Sequence, residues 1–195
     1  MVFQALLPVD LKSNTNIHEF YFREVLRHLP IVFCLLFGGV FMSDPHPSRT
    51  ASPSGGYAGD LSARESWELL SKEAEGQLVD VRTEAEWNFV GVPDLSGLKR
   101  RVVFCEWQRF PAGSNPDFIA EVIESLKRTN YRKGAPLLMI CRSGARSRAA
   151  AIALTQAGYG PCFNIQDGFE GALDPERHRG IAAGWKAEGL PWTQS

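Results

Sequence analysis

The chain has 195 residues, of which 44% are hydrophobic and 22% are charged, and its formal net charge at pH 7 is −1. This composition is typical of a globular protein with one domain of ordinary size. It gives no support for a nucleic-acid partner or for binding to an anionic membrane surface, because both require a basic field.

The cysteines argue against a zinc site and against a disulfide framework. No two of them have Cys-x-x-Cys spacing, and none lies in a cluster with histidines. A chain of this length and composition does not depend on disulfides, so we expect reduced thiols in a cytoplasmic protein. The four positions are Cys34, Cys105, Cys141 and Cys162.

Residues 1–59 differ in composition from the rest and are predicted to form an N-terminal extension outside the folded domain. They contain an apolar run at 29–42, LPIVFCLLFGGVFM, which is shorter than the ~20 residues that span a bilayer. Three interpretations stay open: membrane association through this run, a secretory signal, or a true start at Met42. The stretch after Met42 is rich in Pro, Ser and Gly, which is typical of a disordered N-terminus.

Residues 60–195 are predicted to form the folded domain, and its first element is a helix. Ser62 and Glu65 have the spacing of a capping box, in which each side chain accepts a hydrogen bond from the other residue's backbone amide. The apolar positions that follow recur at helical spacing as far as Gly76.

The next elements alternate between strand and helix. A short apolar strand at 77–81 is followed by a brief helix at 82–90, with Trp87 and Phe89 expected to turn inward. A second strand is predicted at 101–107, where β-branched and aromatic residues are concentrated.

The remaining elements continue this alternation, which favours an α/β fold with a mainly parallel sheet. Asn115 is predicted to cap the next helix, with Pro116 at its first position. An almost wholly apolar strand at 136–141 is typical of burial on both faces. The predicted elements are a helix at 115–128, a strand at 136–141, a helix at 146–157, a strand at 162–167 and a helix at 180–189.

The segment CRSGAR, residues 141–146, combines a thiol, a turn and two positive charges. Cys141 is placed at the carboxyl end of a buried strand, where ligands bind in open α/β sheets. Gly144 permits a turn whose backbone amides can point inward as an anion-binding nest, and the following helix adds partial positive charge. With Arg142 and Arg146, this setting favours the thiolate form of Cys141 and an anionic substrate.

Five segments carry a resemblance to a known family. In chain order they are LVDVR, EAEW, CRSGARSRAAAIALTQAGY, NIQDGFEG and a tryptophan followed by GLPW. Over residues 61–192 the chain resembles a single rhodanese-like domain. The resemblance implies a three-layer α/β domain with a central, mainly parallel sheet flanked by helices.

The same resemblance implies a sulfurtransferase. Its loop cysteine, here Cys141, accepts a sulfane sulfur as a persulfide and passes it to a thiophilic acceptor. The expected partners are thiosulfate or a persulfide as donor and cyanide or a thiol as acceptor, with a protein persulfide as a further candidate. No metal and no organic cofactor are implied. The loop residues expected to hold the sulfur are Arg142, Ser143, Gly144, Ala145 and Arg146.

Other polar and aromatic residues are assigned supporting roles. Asp80 and Arg82 flank the end of the first apolar strand, and we expect a structural salt bridge that holds the walls of the loop. Cys105 and Cys162 are expected to be core thiols, with a resolving thiol as the alternative. Phe110 is expected in the core or in a pocket wall.

Two other functions stay open at this point. Cysteine phosphatases use a Cys-x5-Arg loop, whereas Arg146 gives Cys-x4-Arg and the Cys-x5 position is Ser147. The shorter ring suits one sulfur atom better than a phosphoryl group. A non-catalytic module that binds partners is the other alternative, and the intact Cys141 argues against it.

Overall fold

The computed structural model describes residues 56–194. The apolar run at 29–42 and the alternative start at Met42 lie outside the described residues. The boundary between the predicted extension and the domain therefore stays a prediction. Within 56–194, none of the helices is both long enough and apolar enough to cross a bilayer.

A five-stranded sheet forms the centre of the domain, and all of its pairings are parallel. Its strands are β1 (Gly59–Leu61), β2 (Gln77–Asp80), β4 (Val103–Phe104), β7 (Leu137–Ile140) and β8 (Cys162–Ile165). Their order across the sheet is β1-β8-β7-β2-β4. Two antiparallel pairs lie outside this sheet: β3 (Val92–Pro93) with β9 (Trp192–Thr193), and β5 (Gln108–Arg109) with β6 (Gly113–Ser114).

Helices flank the sheet, so the predicted α/β fold class with a rhodanese-like architecture is confirmed. They are α1 (Ala63–Lys72), α2 (Glu84–Val90), α3 (Phe118–Leu126), α4 (Ala145–Gln156) and α5 (Gly184–Ala187), with a 3₁₀ turn at Ser96–Leu98. These elements differ from the predicted ones by a few residues at their ends, where local signals are weakest.

Two apolar cores lie on opposite faces of the sheet because side chains alternate along each strand. Val79 and Met139 contribute to one core, together with apolar residues of α3 and α4. Leu78 and Leu138 contribute to the other core, together with residues of α1 and α5. Both faces of β7 are covered, and all four of its residues are buried, as the apolar pattern predicts.

Helix α1 begins as predicted and ends earlier than predicted. Ser62 and Glu65 form the capping box, whereas the helix stops at Lys72 rather than near Gly76. Arg100 explains this end, because its guanidinium donates to the Glu73 and Gly76 carbonyls at 3.0 and 2.9 Å and also to the Leu70 carbonyl. These bonds satisfy acceptors that a helix end leaves open.

Two predictions about aromatic residues are wrong. Phe89 is 79% exposed and Phe110 is 95% exposed. Phe89 lies on the outer side of the short helix α2, while Trp87 packs edge-on against Phe104 with ring centroids 5.1 Å apart. Phe110 lies between β5 and β6, a hairpin that the predicted strand at 101–107 did not anticipate.

The predicted capping role of Asn115 is also wrong. Helix α3 begins at Phe118 with Asp117 at the capping position. Asn115 forms a turn before the helix, where its Oδ1 accepts from the Asp117 amide at 3.1 Å. Its Nδ2 donates to the Glu106 carbonyl at 2.9 Å, which ties the hairpin to the start of the helix.

Candidate active site

Cys141 follows β7 directly and lies at the carboxyl edge of the sheet, where α4 begins. The residue is 1% exposed and belongs to the core between the sheet and helices α3 and α4. The two neighbouring strands in the sheet, β2 and β8, run parallel to β7. Their carboxyl ends therefore surround the sulfur.

Two hydrogen-bond donors converge on the sulfur atom of Cys141. The Gly144 amide lies 3.2 Å from Sγ, and the Ser147 hydroxyl lies 3.1 Å from it. Gly144 caps α4 with a φ of 94°, and a Cβ at this position would lie 1.9 Å from the Gln166 carbonyl oxygen. The turn that aims this amide at the sulfur therefore requires glycine.

The segment at 167–171 holds the back of the loop. The Phe169 amide donates to the Cys141 carbonyl at 2.7 Å, and the Glu170 and Gly171 amides donate to the Arg142 carbonyl at 3.0 and 3.1 Å. Because both loop carbonyls are bound on this side, they do not point at Sγ. The partial negative charges of these carbonyls are thus kept away from the sulfur.

Arg146 is engaged by a carboxylate from another helix. Its two Nη atoms lie 2.6 and 2.8 Å from the Glu86 carboxylate, which also accepts from Thr83 in the capping box of α2. Burial raises the pKa of Glu86, but hydrogen bonds from Arg146 and Thr83 outweigh it and hold that pKa at about 2. Arg146 thus fixes α2 against the loop, and its charge is neutralised by Glu86.

Arg142 differs from Arg146 in its surroundings. It is exposed, as are Ser143 and Ala145, so these three residues form the solvent side of the loop. Within 56–194, Arg142 has no ion-pair partner, whereas Arg148 on the next turn pairs with Asp60 at 2.7 Å.

Asp80 and Arg82 form a buried ion pair behind the loop. Both side chains are fully buried, with an N–O distance of 2.6 Å. Arg82 also donates to the Gly91 carbonyl at 2.8 Å, and its guanidinium lies 4.1 Å from the centre of the Phe169 ring. The pair links the end of β2 to the end of α2 and to the segment behind Cys141.

One family model matches most of the chain. The family model described as the STR4 middle domain matches residues 58–195. The chain belongs to this family.

Curated relatives match almost over their whole length. "Uncharacterized protein RC0915" from Rickettsia conorii is 36% identical over 133 residues, which cover 68% of this chain and 95% of that protein. "Uncharacterized protein RP600" from Rickettsia prowazekii is 33% identical with the same coverage.

Two solved structures are similar to this chain to different degrees. The crystal structure of Rv0390 from M. tuberculosis is 50% identical to this chain, covers 71% of it and 99% of that chain, and superposes with a TM-score of 0.65. The solution structure of the polysulfide-sulfur transferase homodimer from Wolinella succinogenes is 20% identical, covers 70% of this chain and 78% of that chain, and gives a TM-score of 0.46.

Sequence reasoning missed two residues that lie at this loop, Ser147 and Glu86. Ser147 lies in the first turn of α4, one position beyond Arg146, so its spacing from Cys141 was the available signal. Glu86 was detectable only as the acidic residue three positions after Thr83, the pattern of a capping box. Its pairing with Arg146 joins residues 60 positions apart, which no local pattern indicates.

The other two described cysteines are free, buried thiols. Burial, with the nearby Glu121 carboxylate, raises the pKa of Cys105 to about 12. Burial raises the pKa of Cys162 to about 11. Both are core residues, as expected, and a resolving role for either stays untested. Across residues 56–194, no group of three or more His, Cys, Asp or Glu side chains is arranged to hold a metal ion.

Proposed function

We propose that this protein is a sulfurtransferase that carries a sulfane sulfur as a persulfide on Cys141. The observation that supports this most directly is the convergence of the Gly144 amide and the Ser147 hydroxyl on Sγ, at 3.2 and 3.1 Å. Donors at these positions stabilise a negatively charged sulfur, and the thiolate is the form of cysteine that attacks another sulfur.

In the loading half-reaction, the Cys141 thiolate attacks the outer sulfur of the donor. With thiosulfate, a bond forms between Sγ and that sulfur, the S–S bond of thiosulfate breaks, and sulfite leaves with the electron pair. With a thiol persulfide, the thiol leaves as its thiolate in the same way. The loop amides from Arg142 to Arg146 are then available to hold the outer sulfur.

In the unloading half-reaction, the persulfide first takes up a proton from solvent, and a thiolate or cyanide then attacks its outer sulfur. The bond between that sulfur and Sγ breaks, and its electron pair returns to Sγ as the Cys141 thiolate. The sulfane sulfur leaves on the acceptor together with the proton, which the product returns to solvent, so the protein is back in its starting state and charge is conserved.

Arg142 is the loop cation best placed to attract an anionic donor. Its side chain is exposed and has no ion-pair partner within 56–194, whereas the Arg146 guanidinium is bound at both Nη atoms by Glu86. The role of attracting the donor by charge, which was expected of both arginines, is thus better assigned to Arg142. Arg146 then acts by holding α2 and the loop together.

The same pairing disfavours a phosphatase. Phosphoryl transfer would use an arginine that forks onto two phosphoryl oxygens. In this protein the fork of Arg146 is occupied by the Glu86 carboxylate, and the loop has one residue fewer than a Cys-x5-Arg ring.

The test is persulfide formation on Cys141. The protein is incubated with thiosulfate, and intact mass is recorded before and after treatment with cyanide. The wild type and the Cys162→Ala control should each gain one cyanide-removable sulfur, and Cys141→Ser should gain none. Loading that persists in Cys141→Ser would overturn the assignment. Phosphate release from p-nitrophenyl phosphate that depends on Cys141, without persulfide from any donor, would favour the phosphatase instead.

A further inference from the structure

Ser147 has one hydroxyl proton and two acceptors within reach. The side chain is fully buried in the first turn of α4. Its Oγ lies 3.1 Å from Cys141 Sγ and 3.1 Å from the Gly144 carbonyl oxygen. Rotation about the Cβ–Oγ bond turns the O–H from one acceptor to the other while the proton stays on Oγ. No other part of the loop has to move.

The charge on Sγ decides which acceptor receives the hydrogen bond from Ser147. A thiolate is a stronger acceptor than a neutral carbonyl, so the hydroxyl of Ser147 points to Sγ when Cys141 is ionised. In a persulfide, Sγ is bonded to the outer sulfur and carries little charge. The carbonyl of Gly144 is then the better acceptor. The Gly144 amide, by contrast, is part of the backbone and keeps its direction in both states.

We propose that Ser147 is a catalytic residue of the unloading half-reaction, an inference that rests on the proposed sulfurtransferase function. As the acceptor attacks the outer sulfur and the S–S bond breaks, negative charge develops on Sγ. The hydroxyl of Ser147 turns from the Gly144 carbonyl to Sγ and stabilises this charge. The residue donates a hydrogen bond, its proton stays on Oγ, and Cys141 departs as a thiolate.

The two half-reactions respond differently to this hydrogen bond. In unloading, Sγ is the leaving group, and a better stabilised thiolate leaves faster. In loading, Sγ is the nucleophile, and the same hydrogen bond raises the fraction of thiolate but lowers its intrinsic reactivity. The two effects on loading oppose one another, whereas the hydrogen bond has a single, accelerating effect on unloading. Loss of the hydroxyl should therefore change the ratio of the two rates.

The test measures loading and unloading separately in single turnovers. Loading is followed as sulfite release from thiosulfate, and unloading as thiocyanate release from the isolated persulfide. Because a hydrogen bond to a charged group is strong, Ser147→Ala should slow unloading about tenfold, with a change of less than about threefold in loading. Ser147→Thr, which keeps the hydroxyl, should retain the wild-type ratio of the two rates.

Ser66→Ala is the matched control. Ser66 is also a fully buried helical serine, in α1, and its hydroxyl donates to the Ser62 carbonyl at 2.7 Å. It should lose a similar hydrogen bond without changing either rate. Alanine is the better helix former, and thermal midpoints check that each variant is folded.

Three results would overturn the inference. Ser147→Ala with wild-type rates, equal slowing of both half-reactions, or a Thr variant that unloads as slowly as the Ala variant would each contradict a role of the hydroxyl that is specific to unloading. A wild-type protein that forms no persulfide with thiosulfate or a thiol persulfide would instead overturn the proposed function, and this inference with it.

Discussion

Cys141 and Cys162 lie on neighbouring parallel strands and in the same core, and neither is more than 1% exposed. Cys141 follows the last residue of β7, whereas Cys162 is the first residue of β8 and pairs with Leu137 at the start of β7. The two thiols are thus at opposite edges of the sheet, roughly 13 Å apart along the strands.

The backbone groups at these two edges differ in kind. At the carboxyl edge, Cys141 meets the start of α4, and its sulfur accepts from the Gly144 amide. At the amino edge, Cys162 meets the chain that leaves α4, and its thiol donates to the Tyr159 carbonyl at 3.4 Å. Amide donors stabilise a thiolate, and a carbonyl acceptor stabilises the protonated thiol. The two equally buried thiols therefore have hydrogen-bond partners of opposite kind.

Alkylation gives the largest expected difference between the two thiols. Because the pKa of Cys162 is raised to about 11, only about one thousandth of it is thiolate at pH 8. Iodoacetamide should modify Cys141 faster than Cys162 in the folded protein, because so little of Cys162 is thiolate. Peptide mass mapping after timed quenching measures both rates. Similar rates in the native protein would contradict the expected difference between the two thiols. A urea-unfolded sample serves as the control, in which the two rates should converge.

Replacing the glycines at the two ends of α4 by alanine tests how strictly the backbone is constrained at each edge of the sheet. Gly144→Ala places a Cβ 1.9 Å from the Gln166 carbonyl oxygen at a φ of 94°. It should cost about 3 kcal/mol or more of unfolding free energy and abolish most sulfur transfer.

Gly158→Ala is the matched control for this substitution. Gly158 has a φ of 78°, but nothing lies within 4 Å of the added Cβ. It should cost only about 1 kcal/mol and keep sulfur transfer. Urea denaturation and cyanide-dependent turnover measure the two quantities. Equal losses at both positions would show that conformation alone, and not the approach to Gln166, limits the loop.

The ion pair that holds the carboxyl-edge loop gives a smaller, pH-dependent effect. The pKa of Glu86 is about 2 in the folded protein, below the ordinary glutamate value of 4.5. A depressed carboxyl pKa contributes stability that is fully present above about pH 4.5 and is lost as the pH falls toward 2. Glu86→Gln should therefore lower the unfolding free energy by about 2 kcal/mol at pH 7.

The difference between wild type and Glu86→Gln should shrink as the pH falls from 4.5 toward 2. Urea denaturation at pH 7, 4 and 2.5 measures it. Glu124→Gln, which removes the exposed pair with Lys127, is the control and should change stability little at any of these pH values. A Glu86→Gln deficit that is constant with pH would assign the effect to packing rather than to the charge.

Local patterns in the sequence determined the alternation of strands and helices, the capping box at Ser62 and the placement of Cys141 between a buried strand and a helix. Each of these depends on residues a few positions apart, because helix and strand periodicities and capping hydrogen bonds are short-range. The need for glycine at 144 was also visible, since a tight turn before a helix requires it.

Only the tertiary structure decided which groups meet in space. The Arg146 and Glu86 side chains pair across 60 residues, so the charge expected to face the substrate is neutralised. Phe89 lies on a seven-residue helix and Phe110 at a hairpin tip, and among residues 56–194 both are exposed. The different hydrogen-bond partners of Cys141 and Cys162 likewise depend on the sheet edge that each occupies. Such contacts depend on chain segments that are distant in sequence, and short-range patterns carry no information about them.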